Sequence, residues 1–250
     1  MLHHHNKGQT MYRQIVVLTG AGISAESGMS TFRDQHGLWE QHHIEDVATP
    51  EGYARDIELV ERFYNTRRQQ LNSGEVAPNA AHLALVKLEA EFTGELLVIT
   101  QNVDDLHERA GSKRLLHMHG ELAKGRCPQS LQTFVLREPF GVDNCCTCCI
   151  PAKRLRPHIV WFGEMPFGMD RIHDALDHCD LFIAIGTSGT VYPAAGFVDS
   201  ANHHGAQTAE VNLDPADRHS QFQYHFTGKA GEILPQLVED ILAGKVIGSE

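Results

Sequence analysis

Long hydrophobic runs are absent from this sequence. Its apolar stretches, such as the one between Asp180 and Gly186, hold about five residues, whereas a membrane-spanning helix needs about 20. The first 14 residues are polar and rich in histidine and have no apolar centre, so they do not resemble a secretory signal. We therefore predict no membrane span, a loose tail over residues 1–11 with Met1 or Met11 as the start, and a cytoplasmic location.

An excess of basic residues is also absent. Lys and Arg number 21 against 32 Asp and Glu, which gives a net charge of −11 at pH 7. Proteins that clamp nucleic acid through its phosphates need clustered Lys and Arg, so that function is disfavoured. The 250 residues are 42% hydrophobic, an ordinary globular composition that is large enough for a substantial core.

Short apolar segments alternate with amphipathic ones along the chain. The pattern of a strand in a parallel sheet recurs at residues 15–18, 96–100, 114–119, 181–185 and 208–212. Helical spacing marks residues 58–71, 82–92, 193–203 and 234–242. This alternation predicts an α/β fold with a Rossmann-like, doubly wound parallel sheet.

Two segments interrupt the alternation. Residues 36–78 lack a strand pattern and predict a helical insertion, whereas residues 121–158 hold most of the cysteines and few apolar runs. The sheet core then comprises residues 12–35, 79–120 and 159–250. We predict one domain over residues 1–250, in which the two insertions form a smaller lobe.

A glycine-rich turn follows the first predicted strand. Gly20-Ala21-Gly22-Ile23-Ser24-Ala25 fits the pattern G-x-G-x-x-G/A between a strand and a helix. Such glycines let the backbone approach a pyrophosphate at a helix N-terminus, although the same turn can also exist without a ligand. No second strand ends in Asp or Glu about 20 residues further on, which disfavours an ordinary dinucleotide-dependent dehydrogenase.

Polar residues follow four of the predicted strands, at the edge where open parallel sheets bind ligands. They lie in residues 100–104, 117–120, 186–188 and 212–214. Each group alone is explained by turns and helix caps, but four together favour a binding crevice. His119 is the imidazole that ends a strand and precedes a glycine, so we predict that it is a general base.

Five of the six cysteines lie within 23 residues and suggest a metal site. They are Cys127, Cys145, Cys146, Cys148 and Cys149. A structural zinc normally takes two C-x-x-C pairs, and here the first pair is broken because Ser130 stands in place of its second cysteine. We predict Zn bound by Cys127, Cys146 and Cys149. The fourth ligand is left open between Cys145, Cys148, a water and a nearby side chain, and the alternative is a cluster of free thiols. The remaining Cys179 is expected to be buried.

These motifs together resemble the sirtuins, which are NAD-dependent protein-lysine deacylases. The matching segments run over residues 20–28, 32–33, 101–104, 117–120, 156–164 and 186–188, and the likeness covers nearly the whole chain. The segments Ala48-Thr49-Pro50, Phe63-Tyr64 and Arg67-Arg68 are similar to the class III branch found in bacteria. The resemblance implies a structural zinc and NAD as a consumed co-substrate, with nicotinamide, O-acyl-ADP-ribose and free lysine as products.

The resemblance also implies which residues bind. His119 would remove a proton from the ribose hydroxyls. The residues implied for NAD are Gly20, Ala21, Gly22, Glu26, Phe32, Arg33, Trp39, Gln101, Asn102, Asp104, Gly186, Thr187, Ser188, Asn212, Asp214 and Ala230. The acyl-lysine of a partner protein would pair as a strand with residues 160–162 and 189–191, with Tyr64, Arg67, Val160 and Phe162 as substrate-binding residues.

Tyr64 and Arg67 are at positions i and i+3 of the predicted helix 58–71 and share one face. Their spacing alone indicates only a half-buried Tyr and a solvated Arg. The resemblance implies instead that they meet an acidic acyl chain, so succinyl and malonyl groups are the expected substrates together with acetyl. Arg68 is the alternative donor. The competing functions are a non-catalytic protein that binds NAD or acyl-lysine, and, less favoured, an NAD-dependent oxidoreductase.

Overall fold

The computed structural model describes residues 11–29, 42–136, 138–216 and 219–248. The strands in this part of the chain are β1 (Gln14–Thr19), β2 (Glu95–Thr100), β3 (Leu115–His117), β4 (Gly120–Arg126), β5 (Thr133–Val135), β6 (Arg156–Ile159), β7 (Leu181–Ile185), β8 (Gln207–Asn212) and β9 (Tyr224–Thr227). The helices are α1 (Ala21–Ala25), α2 (Ile44–Val47), α3 (Pro50–Arg55), α4 (Ile57–Leu71), α5 (Ala80–Glu91), α6 (Leu106–Ala110), α7 (Met169–His178), α8 (Phe197–His203) and α9 (Ala230–Leu242).

The main sheet of the described residues is parallel throughout, with the strand order β3-β2-β1-β7-β8-β9. Strand β1 lies inside the sheet, where Ile15 pairs with Leu96 on one side and with Leu181 on the other. Its apolar residues are buried on both faces, which is why the strand reads as a continuous hydrophobic run. The predicted Rossmann-like parallel sheet is confirmed.

Helices cover both faces of this sheet. On one face, α5 and α9 pack Leu85, Leu88 and Leu234 against Ile15 and Val17 of β1. On the other face, α7 and α8 contribute a second cluster that covers the alternate residues of β1; its members include Val16, Leu18, Ile172, Leu176, Phe197 and Val198. Successive residues of a strand point to opposite faces, so one short strand contributes to two cores.

A third core lies between the helices α2 to α4 and a small antiparallel sheet with the order β5-β4-β6. It contains Val60, Phe63 and Tyr64 from α4, together with Leu122 of β4 and Trp161, which follows β6. The two predicted insertions therefore contact each other. The exact division of the chain into core and insertions stays a prediction.

The sequence patterns missed several elements. Strand β9 lies at the edge of the main sheet, and strands β4 to β6 lie in the cysteine-rich region. In these strands buried or half-buried residues are interrupted by more exposed ones, so the sequence shows no apolar run. Helix α9 begins at Ala230, four residues before the predicted start, and it contains Pro235. The predicted helix over 193–203 begins as a 3-10 turn before α8. Among the described helices, none has the length and apolar character that crossing a membrane requires.

Candidate active site

The loops that follow β1 and β7 lie backbone against backbone. The Gly20 N–H donates to the Ile185 carbonyl at 2.9 Å, and the Gly22 N–H donates to the Gly186 carbonyl at 2.9 Å. A Cβ atom at Gly20 or Gly22 would approach atoms of Gly186 to 2.6 Å, closer than real side chains come. Gly186 itself has φ +60, a conformation that favours glycine. The glycines therefore hold the two loops in contact at the carboxyl edge of the sheet.

A buried polar network lies beside these loops. The Asn102 side-chain amide donates to the Gly20 carbonyl at 3.0 Å and to Ser24 Oγ at 3.2 Å. Ser24 Oγ in turn donates to Asp104 Oδ2 at 3.1 Å. Burial raises the pKa of Asp104, against the hydrogen bonds from Leu106 and Ser24 that lower it. The network fixes the side chains that follow β2 against the glycine-rich turn.

His119 follows β3 and is partly buried. Its Nδ1 lies 3.1 Å from the Gln101 carbonyl oxygen, which can only accept a hydrogen bond. The proton must therefore sit on Nδ1, and Nε2 of the neutral ring is left as the basic nitrogen. Burial lowers the pKa of His119, and the hydrogen bond to Gln101 opposes that shift. At neutral pH the imidazole is thus an uncharged base.

Further residues implied for NAD contact one another around the same edge. Gln101 Nε2 donates to Thr187 Oγ1 at 2.9 Å, and Asn212 Nδ2 donates to the Thr187 carbonyl at 3.2 Å. Glu26 accepts a hydrogen bond from the Gly231 N–H at 2.8 Å, next to Ala230 at the start of α9.

The other residues implied for NAD that the structure describes make fewer contacts with this group. Ser188 Oγ lies 2.8 Å from Thr190 Oγ1, and Asp214 is exposed on the turn after β8. Phe32, Arg33 and Trp39 lie outside the described residues.

The segment after β6 runs beside His119. The Val160 N–H donates to the His119 carbonyl at 2.9 Å, the Trp161 N–H donates to Glu164 Oε2 at 2.9 Å, and the Phe162 N–H donates to the Ala48 carbonyl at 2.9 Å. All three N–H groups are used within the protein. A substrate strand that paired with this segment would therefore have to donate its own N–H groups to backbone carbonyls of residues 160–162.

Tyr64 of α4 contacts the same segment. Its hydroxyl accepts a hydrogen bond from the Trp161 indole N–H at 2.9 Å, and burial raises its pKa to about 12. Arg67, one turn further along α4, is only 6% exposed and stacks over the Phe63 ring at 4.5 Å. Burial lowers the pKa of Arg67 to about 10. The helical spacing indicates a solvated Arg, but Arg67 is buried beside Tyr64.

Arg68 has a different environment. Its Nη2 donates to the carbonyls of Leu136 and Glu138 at 2.5 and 2.9 Å, and its guanidinium lies 4.7 Å from the centre of the Phe140 ring. These contacts attach α4 to the loop after β5. Of the two arginines, Arg68 therefore bonds to the loop, whereas Arg67 lies beside Phe63 and Tyr64.

The comparisons with known proteins agree with this arrangement. A model described as the Sir2 family matches residues 20–193. The chain belongs to the Sir2 family. It is 81% identical over 240 residues to a Shewanella oneidensis protein named NAD-dependent protein deacylase, with 96% of this chain and 99% of that protein covered. The predicted likeness to the sirtuins is confirmed.

Solved Sir2 structures share the fold of this chain. A Sir2 homologue in complex with NAD superposes with a TM-score of 0.83 at 36% identity and covers 96% of both chains. A mutant of a Sir2 homologue in complex with ADP-ribose superposes with a TM-score of 0.84 at 38% identity, over 93% of both chains.

Four cysteines of this Sir2-family protein converge beside the small sheet. The thiols of Cys127, Cys146, Cys148 and Cys149 all lie within 4.8 Å of one another. Cys127 Sγ lies 3.7 Å from Cys149 Sγ, and Cys148 Sγ lies 3.8 Å from Cys149 Sγ. Thiolates bound tetrahedrally to zinc at about 2.3 Å are about 3.8 Å apart, so the donor set fits zinc. Exposed Cys145 instead contacts the Val142 carbonyl.

Two residues take part in these clusters without having been predicted to do so. Ser24 lies within the glycine-rich motif but was not among the residues predicted to bind NAD, although it joins Asn102 to Asp104. Its place in the motif, four residues after Gly20, was the available signal. Cys148 was only one of several options for a fourth zinc ligand, because Cys145/Cys148 and Cys146/Cys149 both have the C-x-x-C spacing.

Proposed function

We propose that this protein removes acyl groups from lysine side chains of other proteins and consumes NAD in the reaction. The observation that carries the proposal is the position of His119. Its ring bonds to Gln101, whose side chain reaches Thr187, and its carbonyl bonds to Val160. One residue thus connects the edge suited to a dinucleotide with the segment suited to a peptide, and it presents a neutral base between them.

The residues of the site fit NAD because the glycine-rich loops leave backbone uncovered beside buried polar side chains. NAD supplies a ribose carbon from which nicotinamide leaves when the acyl oxygen attacks. Asn102 and Asp104, fixed by the network with Ser24, would hold the ribose and the nicotinamide amide. His119 Nε2 would take a proton from the ribose hydroxyls, so that the sugar oxygen can accept the acyl group.

Nicotinamide release tests this function directly. The protein is incubated with NAD and either a lysine-acylated peptide or the same peptide with free lysine. We expect nicotinamide to form only with the acylated peptide and in equal amount to the deacylated product. Binding of NAD and peptide without nicotinamide release would identify a non-catalytic binding protein, and reduction of NAD to NADH would identify an oxidoreductase.

We further propose that Tyr64 and Arg67 select acidic acyl chains. A guanidinium offers two parallel donors to a carboxylate, and a phenol can add a third hydrogen bond. Arg67 is a buried cation three residues after Tyr64 on α4, so its guanidinium and the Tyr64 hydroxyl lie on one helix face and would together meet the carboxylate of an incoming succinyl or malonyl group. Acetyl-lysine would also be accepted, because a small neutral chain fits where a larger one does.

Arg67→Met tests the acyl preference. We expect it to lower kcat/KM for succinyl-lysine by a factor that corresponds to about 2–4 kcal/mol of transition-state free energy, because the succinyl carboxylate would lose its cationic partner. The kcat/KM for acetyl-lysine should change much less. Arg68→Met is the matched control, because it removes a neighbouring cation whose guanidinium donates to loop carbonyls. It should lower stability but leave the succinyl-to-acetyl ratio unchanged. An equal loss on both substrates in Arg67→Met would assign Arg67 to the fold instead.

The cysteine cluster is proposed to hold one structural zinc through Cys127, Cys146, Cys148 and Cys149. When bound, the ion would tie the loop after β4 to the segment before β6 and take no part in the chemistry. We also infer a cytoplasmic location, since clustered thiols persist in reducing compartments. Fractionation of cells that express the protein would test that location.

A further inference from the structure

A second cluster of potential metal ligands lies at the β9 edge of the main sheet, on β8, on β9 and in the turn between them. Glu210 is in β8, and His225 is its register partner in β9. His219 lies in a 3-10 turn just before β9. His225 Nδ1 is 3.0 Å from Glu210 Oε1, and His219 Nδ1 contacts the same oxygen. The two imidazole rings lie beside each other with centroids 3.8 Å apart.

The accessibility of the three side chains differs in a way that suits an ion from solvent. The Glu210 side chain is 3% exposed, whereas those of His225 and His219 are 33% and 41% exposed. The carboxylate thus forms the base of the cluster and the imidazoles form its open rim. Water molecules could complete the coordination of an ion from the solvent side.

We propose that Glu210, His219 and His225 bind a divalent transition-metal ion at a site separate from the cysteines. The ligand atoms all lie within 4.8 Å of one another, and ligands of one ion at about 2.1 Å are at most about 4.2 Å apart. Both imidazole Nδ1 atoms already lie within hydrogen-bond distance of Glu210 Oε1, so small side-chain adjustments would place an ion among the three ligands. Without a metal, the Nδ1–H groups of His219 and His225 both donate to Glu210 Oε1. A bound cation would take the place of these two protons.

The ligand types indicate which ions bind. Two imidazoles and one carboxylate suit Ni²⁺, Cu²⁺, Zn²⁺ and Fe²⁺, whereas Mg²⁺ and Ca²⁺ prefer sites made of oxygen ligands. The second oxygen of Glu210 accepts a hydrogen bond from Asn212 Nδ2 at 3.2 Å. That bond orients the carboxylate and leaves Oε1 directed at the histidines, which is the ordering role that partners of metal ligands commonly have.

Titration with Ni²⁺ tests the site in the full, zinc-loaded chain. Isothermal titration calorimetry would compare the wild type with the double variant His219→Gln/His225→Gln. The matched control is His203→Gln/His204→Gln, which removes two adjacent imidazoles whose centroids are 5.1 Å apart on an exposed surface. Both variants keep the other histidines, including those at positions 3 to 5.

We expect the wild type and the control to bind one more Ni²⁺ per chain than His219→Gln/His225→Gln does. Loss of a residue that supports a metal ligand usually costs about 10- to 100-fold in affinity, so loss of two ligands should cost at least that. Equal stoichiometry and affinity in all three proteins would overturn the proposal. If the double variant does not fold, the single variant His225→Gln must still weaken the extra site by at least about tenfold. An unchanged titration in His225→Gln would overturn the proposal equally.

Discussion

One hydrogen bond determines which nitrogen of His119 can act as a base. The Gln101 carbonyl holds the proton on Nδ1, and the burial that lowers the pKa of the ring keeps Nε2 unprotonated at neutral pH. A carbonyl cannot donate, so this orientation allows only one tautomer of the neutral ring. The backbone carbonyl of Gln101 thus selects the basic nitrogen.

His119→Ala should leave NAD binding nearly unchanged and lower turnover by at least about 10², the usual contribution of a general base. NAD affinity by calorimetry and single-turnover deacylation would separate the two effects. Near-normal deacylation in this variant would mean that another group takes the proton.

The same residue predicts a pH profile. Since its folded-state pKa is lowered from 6.5, the neutral base predominates at pH 7 and above, and kcat/KM should fall only as the pH drops below 6.5. Rates measured between pH 5 and pH 8 on acetyl-lysine peptide would check this, because acetyl-lysine carries no carboxylate of its own. A fall that begins above pH 7 would contradict a lowered pKa.

At the scale of helices and strands, two histidines join α5, α6 and β1. His82 lies in the first turn of α5, where Nδ1 accepts the Asn79 N–H and completes a capping box. His107 of α6 bonds through Nε2 to Thr19 Oγ1 of β1 at 3.0 Å. The rings are 4.9 Å apart, and burial lowers the pKa to about 4 for His82 and about 3 for His107. At neutral pH both rings are therefore uncharged in the folded protein.

This pair predicts acid sensitivity. Below pH 6.5 the unfolded chain binds protons that the folded chain does not, so stability present above pH 6.5 is lost as the pH falls towards 4. Each histidine contributes a slope of up to about 1.4 kcal/mol per pH unit in the free energy of unfolding. Urea unfolding at pH 7.5, 6 and 5 should show a shallower loss in His82→Gln than in wild type. His178→Gln, at an exposed site, should not reduce the loss.

The loop that carries the cysteines gives a second prediction at this scale. Cys148 lies within the cluster of four thiols, whereas exposed Cys145 is directed at the Val142 carbonyl. Cys148→Ser should lower the zinc content of the purified protein from close to one ion per chain to about half or less and should lower the Tm. Cys145→Ser should keep both values. Equal zinc loss in the two variants, measured by elemental analysis, would contradict the assignment of Cys148.

Across the whole molecule, the parallel sheet was predictable because buried strands such as β1 and β7 are continuous apolar runs with helices between them. The small sheet was not predictable, because β4 (Gly120–Arg126) has no apolar pattern. Its strand structure depends instead on pairing with β6 and on contacts between side chains. The candidate site was partly predictable, since strand ends converge in every open parallel sheet.

Long-range contacts explain what sequence analysis missed in the site. That Arg68 bonds to carbonyls 68 and 70 residues away, whereas adjacent Arg67 faces Tyr64, depends on how α4 packs against a distant loop. The convergence of Glu210 and His219 likewise depends on how the turn before β9 lies against β8. Residue spacing carries no information about either contact.

The position of β1 inside the sheet also has a consequence during synthesis on the ribosome. One neighbour, β2, is made about 80 residues later, and the other, β7, follows only after about 165 residues. At roughly 5–20 residues per second, the second neighbour emerges on the order of 10 s after β1. During that interval the nascent chain exposes an apolar strand that cannot complete its pairing, so we expect translation speed between these strands to govern how long β1 depends on chaperones.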